Sequence, residues 1–239
     1  MTTPRTVPSK FLHDGAFFLA PHLSLSIIGE EGKIRLEAGS IQKEVEYDKA
    51  EELIEFRRTR FQTAHVSTVL LQNVDFHRVS AQTIDRLLEG CETGKFELEI
   101  ERDEYTDEAF ALVQKLENRG KIILKMHDFC LAPEQLLSMK PAWHIKATGK
   151  FDSRIDDETA LALIGREHEI LDIDNAFHKP EAIRDAFKLV SSNEEEEKVV
   201  VMNLSDELFN QFINLIGVRM VDDELVMEND TKGFTVAND

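Results

Sequence analysis

Beyond about residue 65 the chain repeats one unit: a short apolar run of strand character, then an amphipathic helical stretch. The runs are Val69–Leu71 with Val74, Phe96–Ile100, Ile122–Met126, Trp143–Ala147, Ile170–Ile173 and Val199–Met202. They begin roughly every 22–30 residues, the period of a stacked solenoid. A strand that leads through a helix into the next strand implies parallel pairing, because a tight hairpin can join only antiparallel neighbours. Leu98-x-Ile100, Leu124-x-Met126 and Leu171-x-Ile173 approach the L-x-L core of a leucine-rich repeat, but the asparagine ladder of a regular one is missing. The expected fold is therefore α/β: an irregular leucine-rich-repeat-like βα solenoid with a parallel sheet and its helices on one side. The rival is an open doubly wound sheet. Short runs and the lack of a glycine-rich phosphate loop count against it.

Local chemistry places the helices. Stretches Ser80–Cys91, Thr106–Arg119, Pro133–Met139, Asp156–Ile164, Pro180–Val190 and Ser205–Ile216 carry the helical pattern. Pro133 and Pro180 sit near the first helical position, where a missing N–H costs nothing. Thr106, Asp156 and Ser205 are suited to capping the N-terminal N–H groups. Gly94, Gly120, Gly165 and Gly217 follow four of the stretches and suit a left-handed cap. Phe110, Val113 and Leu116 recur at helical spacing.

Ahead of the repeats, Leu23–Ile28, Lys33–Glu37 and Gln42–Tyr47 alternate apolar and polar residues, with glycine turns between them. Period two with turn residues between runs reads as an antiparallel meander with one buried face. Asp48 can cap a helix over Lys49–Arg60 whose apolar side holds Leu53, Ile54 and Phe56. The expected organisation is a flexible tail at 1–20, a meander plus helix at 21–62, the repeats at 63–228 and a flexible tail at 229–239. The weak alternation from Val218 to Met227 can add a last strand.

The 46 acidic against 28 basic residues give a net charge of −18. Such a surface repels phosphate backbones and anionic membranes, and favours another protein, of basic character, as partner. The polar, proline-containing start has no signal-peptide core, and Phe17–Ala20 is too short to span a bilayer. With only two cysteines, Cys91 and Cys130, nothing demands a disulfide, so the expected compartment is the cytoplasm or nucleus.

Catalytic chemistry leaves no signature. His127-x-x-Cys130 lacks the second pair that a zinc site needs. No Gly-x-Ser-x-Gly elbow, P-loop or Gly-x-Gly-x-x-Gly occurs, and both cysteines read as small buried hydrophobes, Cys91 at a helix end. The four glutamates Glu194–Glu197 read as a solvated stretch. No cofactor, metal or catalytic group is expected.

Period two makes one surface specific. If Leu98 and Ile100 point inward, Glu97, Glu99 and Glu101 point outward. Neighbouring strands then add Lys125 and His127, His144 and Lys146, and Asp172 and Asp174, giving acidic, basic, basic and acidic stripes. Two readings stay open: weak internal charge pairing, or a recognition face anchored by exposed Ile123 and Ile170.

The layout also resembles a family. Leu23-Ser-Leu-Ser-Ile-Ile-Gly-Glu-Glu-Gly-Lys-Ile-Arg-Leu-Glu37, the run closing in Val45-Glu-Tyr47, and the irregular strand–helix units Lys121–Phe151 and Glu167–Leu204 are similar to the FTH-like or related F-box-associated region of nematode F-box proteins. The resemblance covers about residues 20–220 and rests on layout. It implies a target-binding domain in proteins whose F-box recruits a Skp-type ubiquitin-ligase adaptor. Only about twenty residues precede the first strand here, too few for an F-box helical bundle, so adaptor recruitment is not expected. The implied role is a stand-alone decoy, scaffold or inhibitor: a non-catalytic protein–protein interaction module. The alternatives are an acidic antagonist that masks a basic nucleic-acid-binding protein, and an enzyme with an unrecognised site.

Overall fold

The computed structural model describes residues 24–60, 64–100, 107–127, 131–148, 155–173, 176–192, 199–205, 207–208, 211, 218–221, 224–227 and 234–238. The expected tail at 1–20, Thr106 as a cap, the position of Cys130, the Glu194–Glu197 run and Gly217 lie outside them.

Three antiparallel strands open the sheet: β1 (Ser24–Glu30), β2 (Lys33–Ala38) and β3 (Ile41–Glu46). Their alternation buries Leu25 and Ile27, Ile34 and Leu36, and Val45 on one face. Tyr47–Lys49 then forms a 3-10 turn, and α1 runs over Glu51–Arg60. The helix starts later than expected because Asp48 is taken up in that turn and makes no cap.

The repeats follow as β5 (Thr68–Gln72), α2 (Ala81–Leu87), β7 (Lys95–Ile100), α3 (Asp107–Leu116), β8 (Lys121–His127), α4 (Pro133–Ser138), β9 (His144–Thr148), α5 (Asp157–Ile164), β10 (Ile170–Ile173), α6 (Pro180–Ser192) and β11 (Val199–Leu204). Caps fix several boundaries. The Ser80 hydroxyl accepts from Thr83 N–H and the Asp156 carboxylate from Thr159 N–H, while Pro133 takes the first position of α4. The Asp156 carboxyl is held below its ordinary range, chiefly by that backbone N–H.

Strand order decides the fold. With β12 (Val218–Val221), β13 (Glu224–Met227) and β14 (Phe234–Asn238) from the chain end, the twelve-stranded sheet runs β12-β13-β14-β11-β10-β9-β8-β7-β5-β1-β2-β3. Between β5 and β11 it follows chain order without a reversal, and every pair there is parallel. Crossovers of one hand then place the helices that connect these strands on the same side. The reversal that creates the crevice of a doubly wound sheet is absent from this run. The α/β solenoid reading holds: among the described residues the helices line one face of the twelve-stranded sheet and leave its other face open. One apolar core cluster joins Leu98, Leu124, Ile145, Leu171 and Val200 of the strands to Leu53, Ile84, Leu112, Leu163 and Ile183 of the helices. Because β1 also pairs in parallel with β5, the meander and the repeats share that sheet and core.

Several expectations are corrected. Two short strands, β4 (Ala64–His65) and β6 (Cys91–Glu92), form a separate parallel ladder, so Cys91 lies in a strand beyond the helix end. Gly90 (φ 72°), and not Gly94, takes the left-handed turn after α2. Gly165 caps α5 in right-handed conformation at φ −68°. The chain end is not merely a tail: β12 (Val218–Val221), β13 (Glu224–Met227) and β14 (Phe234–Asn238) complete the sheet, with β14 parallel to β11.

Two arginines tie successive repeats together. Arg119, just past α3, donates to the carbonyls of Leu88 (2.7 Å) and Cys91 (3.2 Å) beyond α2. Arg166, just past α5, donates to Leu137 and Met139 at the end of α4. Helix ends leave carbonyls without intrahelical partners, and the planar guanidinium fork reaches two at once.

Candidate interaction surface on the open sheet face

Parallel register builds this surface row by row. Leu70, Glu97, Ile123, His144, Ile170 and Val199 form one row across β5, β7, β8, β9, β10 and β11. Gln72, Glu99, Lys125, Lys146, Asp172 and Val201 form the next. The expected stripes thus exist for Glu97, Glu99, Lys125, His144, Lys146, Ile170 and Asp172. Glu101 and Asp174 lie outside the described residues. Of His127, only its place in β8 opposite Thr148 is described.

The stripes neutralise one another. Lys125 Nζ is 2.5 Å from Glu97, and Lys146 Nζ is 2.8 Å from Asp172. Lys95 also approaches Glu97 at 3.7 Å, and Lys121 meets Glu169 at 3.1 Å. Internal pairing is therefore real, though such partly solvated pairs contribute at most about 1 kcal/mol each. Four lysines (95, 121, 125, 146) stand among four carboxylates (Glu97, Glu99, Glu169, Asp172), so this part of the face is close to neutral. The surplus behind the net charge of −18 lies elsewhere.

Ile123 is a correction. It occupies an open-face register position but is only 5% exposed, so it cannot serve as an exposed anchor. Glu97 and His144 flank it across the strands, and Lys121 and Lys125 along its own. Long charged side chains cover short apolar neighbours with their methylene stems. Ile170 is half-buried, while Val199 is 37% exposed and extends the apolar stretch of the row.

Trp143 was missed as a site residue. Lys95 and Lys121 place their ammonium groups 5.3 and 5.4 Å from its ring centroid. These two lysines stand directly opposite each other on β7 and β8. The ring beside them offsets part of that like-charge contact, since an aromatic face attracts cations. The available signal was that Trp143 is the sole tryptophan and adjoins outward-facing His144. Compared with family models, curated proteins and solved structures, the chain matches none. What the face can do therefore rests on its own geometry.

Among the described residues no group of three His, Cys, Asp or Glu side chains is placed to hold a metal. Burial pushes the Cys91 thiol up, against the pull of Arg57 and Arg119, which disfavours the reactive thiolate. No helix among the described residues is long and apolar enough to cross a membrane.

His144 adds a pH-dependent element. Its Nε2 is buried with no hydrogen-bond partner among the described residues. Burial lowers its pKa from 6.5; Asp172 and Glu97 pull it up, while Lys146 and Lys125 push it further down. A histidine with a depressed folded pKa binds fewer protons folded than unfolded. Stability should therefore fall as pH drops below about 6.5 toward the folded value. His144→Gln should flatten that acid-side loss. Urea midpoints at pH 7.5 and 5.5 check this, and an unchanged difference between them would refute it.

Proposed function

We propose that this protein is a non-catalytic protein–protein interaction module that docks its partner on the open sheet face. The single-wound strand order carries the reading: among the described residues it leaves the face of β5 to β11 free of helices. On that face Trp143 and the apolar stretch Ile170, Val199 and Val201 supply an aromatic and apolar anchor beside mutually paired charges, the pattern of an interface core with its polar rim. The −18 charge elsewhere favours a basic protein, steering its approach. The resemblance to F-box-associated regions supports a target-binding role, acting as adaptor or scaffold. A free, buried Cys91 fits a reducing cytoplasmic or nuclear setting.

The test compares surfaces. Ile170→Glu and Lys146→Glu alter the open face, whereas Lys188→Glu alters exposed α6. A stoichiometric partner captured by the parent chain should bind either open-face variant at least about tenfold more weakly, as expected for anchor positions. Binding to the α6 variant should be unchanged, and all three should melt with the parent. Retention by both open-face variants, or loss only at Lys188, would overturn the assignment.

A further inference from the structure

On the opposite layer, a cleft of about 520 Å³ opens between α1, α2 and the end of α3. Its lining is Arg58, Asp85, Arg86, Glu89, Gly90 and Arg119. Three guanidiniums from three separate elements converge there, in a chain with 46 acidic residues against 28 basic. Arg57 lies behind them, 2% exposed, close enough to feel both Cys91 and Glu89.

The three differ in what already occupies them. Arg119 is committed to the fold through Asp85 and the carbonyls of Leu88 and Cys91. Asp85 is itself shared between Arg119 and Lys115, at 3.2 and 3.3 Å, so it offers no unbalanced charge to the cleft. Arg58 and Arg86 are different. Their side chains are 49% and 41% exposed. Their counter-ions, Glu89 at 3.4 Å and Glu51 at 2.6 Å, are 64% and 60% exposed. Pairs that open to solvent hold their partners weakly, so both carboxylates can swing into water at little cost.

We propose that this cleft binds a phosphomonoester, gripped by Arg58 and Arg86 in place of Glu89 and Glu51. Releasing two carboxylates leaves two guanidiniums, and a phosphomonoester at neutral pH carries about −1.5 to −2, which matches them. Its oxygens accept bidentate bonds from planar forks, a geometry a single carboxylate satisfies only once. Buried Arg57 and fixed Arg119 add positive field without moving. The cleft is wide open and mostly polar, which suits a phosphoryl group on a small molecule or a peptide side chain and not an enclosed apolar ligand.

The probes are O-phosphoserine and a short phosphoserine peptide, titrated by calorimetry against the whole chain at constant ionic strength. Saturable binding of either is expected, with none of the unphosphorylated peptide. Arg58→Gln and Arg86→Gln should each weaken binding at least about tenfold, and the pair together should abolish it, while melting as the parent does. A peptide preference identifies a phosphorylated protein segment as the source; equal binding identifies a free phosphomonoester. No saturable binding of either probe, or binding that survives the double substitution, overturns the proposal. Neither result depends on the open sheet face.

Discussion

Gly29→Ala is expected to remove at least about 3 kcal/mol of stability, the range of severe overpacking. At this chain length that corresponds to a fall in Tm of roughly 6–12 °C. The reason is local and steric. A Cβ at Gly29 would lie 2.0 Å from the carbonyl oxygen of Asn73, 2.5 Å from the Tyr47 hydroxyl and 2.7 Å from Asn73 C. Two of these are backbone atoms at the end of β5, which pairs directly with β1, so they cannot rotate away. Asn73 already holds a left-handed conformation at φ 54°. The third is the Tyr47 hydroxyl, which accepts the Asp75 N–H at 2.9 Å inside the protein. A shift to relieve the clash would break that bond and leave a buried donor unsatisfied. Two controls separate this from ordinary glycine effects. Gly32 has φ 78° but nothing within 4 Å of a Cβ, so Gly32→Ala should cost only about 1–2 kcal/mol of left-handed strain. Gly94→Ala meets nothing and should be near neutral. Thermal melts of the three rank them; a Gly29→Ala melt within about 2 °C of the parent would contradict the close β1–β5 approach.

That junction also marks how far the residues speak for themselves. Strand and helix positions were legible because burial on one side imposes a period: Phe96, Leu98 and Ile100 point one way, and Glu97 and Glu99 the other. Helix starts set by nearby chemistry were legible for the same local reason: Asp156 accepts an N–H of α5, and Pro133 brings no N–H to the first position of α4. Features requiring a distant partner were not. The two-residue strands β4 and β6 are too short to show a period, and Phe234–Asn238 becomes a strand only because β11 offers an edge. Which glycine turns left-handed depends on where the next strand must begin, which is why Gly90 and not Gly94 takes that role.

The candidate site divides in the same way. Period two correctly placed Glu97, Lys125, Lys146 and Asp172 on one face. It could not say which charges meet, because that depends on register and side-chain lean: Lys125 stands opposite Glu99 but pairs with Glu97. Nor could it foresee that Ile123 is covered. Two of its four flanking residues, Glu97 and His144, come from other strands, and only the register brings them beside it.

The arginine staples between repeats test the same point from the side of energetics. Arg119→Met should cost about 2 kcal/mol, since hydrogen bonds to a charged group contribute about 1.5–3 kcal/mol. The long methionine keeps the apolar stem and removes only the guanidinium. That group donates to Asp85 at 3.2 Å, Leu88 O at 2.7 Å and Cys91 O at 3.2 Å, and lies 5.4 Å from the Phe96 ring centroid. Leu88 O also accepts from Cys91 N–H, so it keeps one partner, which holds the expected cost near the lower end. Arg119→Lys should recover less than half, because a single ammonium cannot span three acceptors that the planar fork reaches together. Arg166 performs the same task at the end of α4, and Arg166→Met should cost a similar amount. The two staples belong to different repeats and grip different carbonyls, Leu88 and Cys91 against Leu137 and Met139, so the double variant should lose the sum of the single losses. Urea denaturation reads this directly: midpoints should fall while the slope stays constant. A reduced slope would mean that the repeats no longer unfold together. That outcome would recast these arginines as the links that make a stack of strand–helix units one cooperative body.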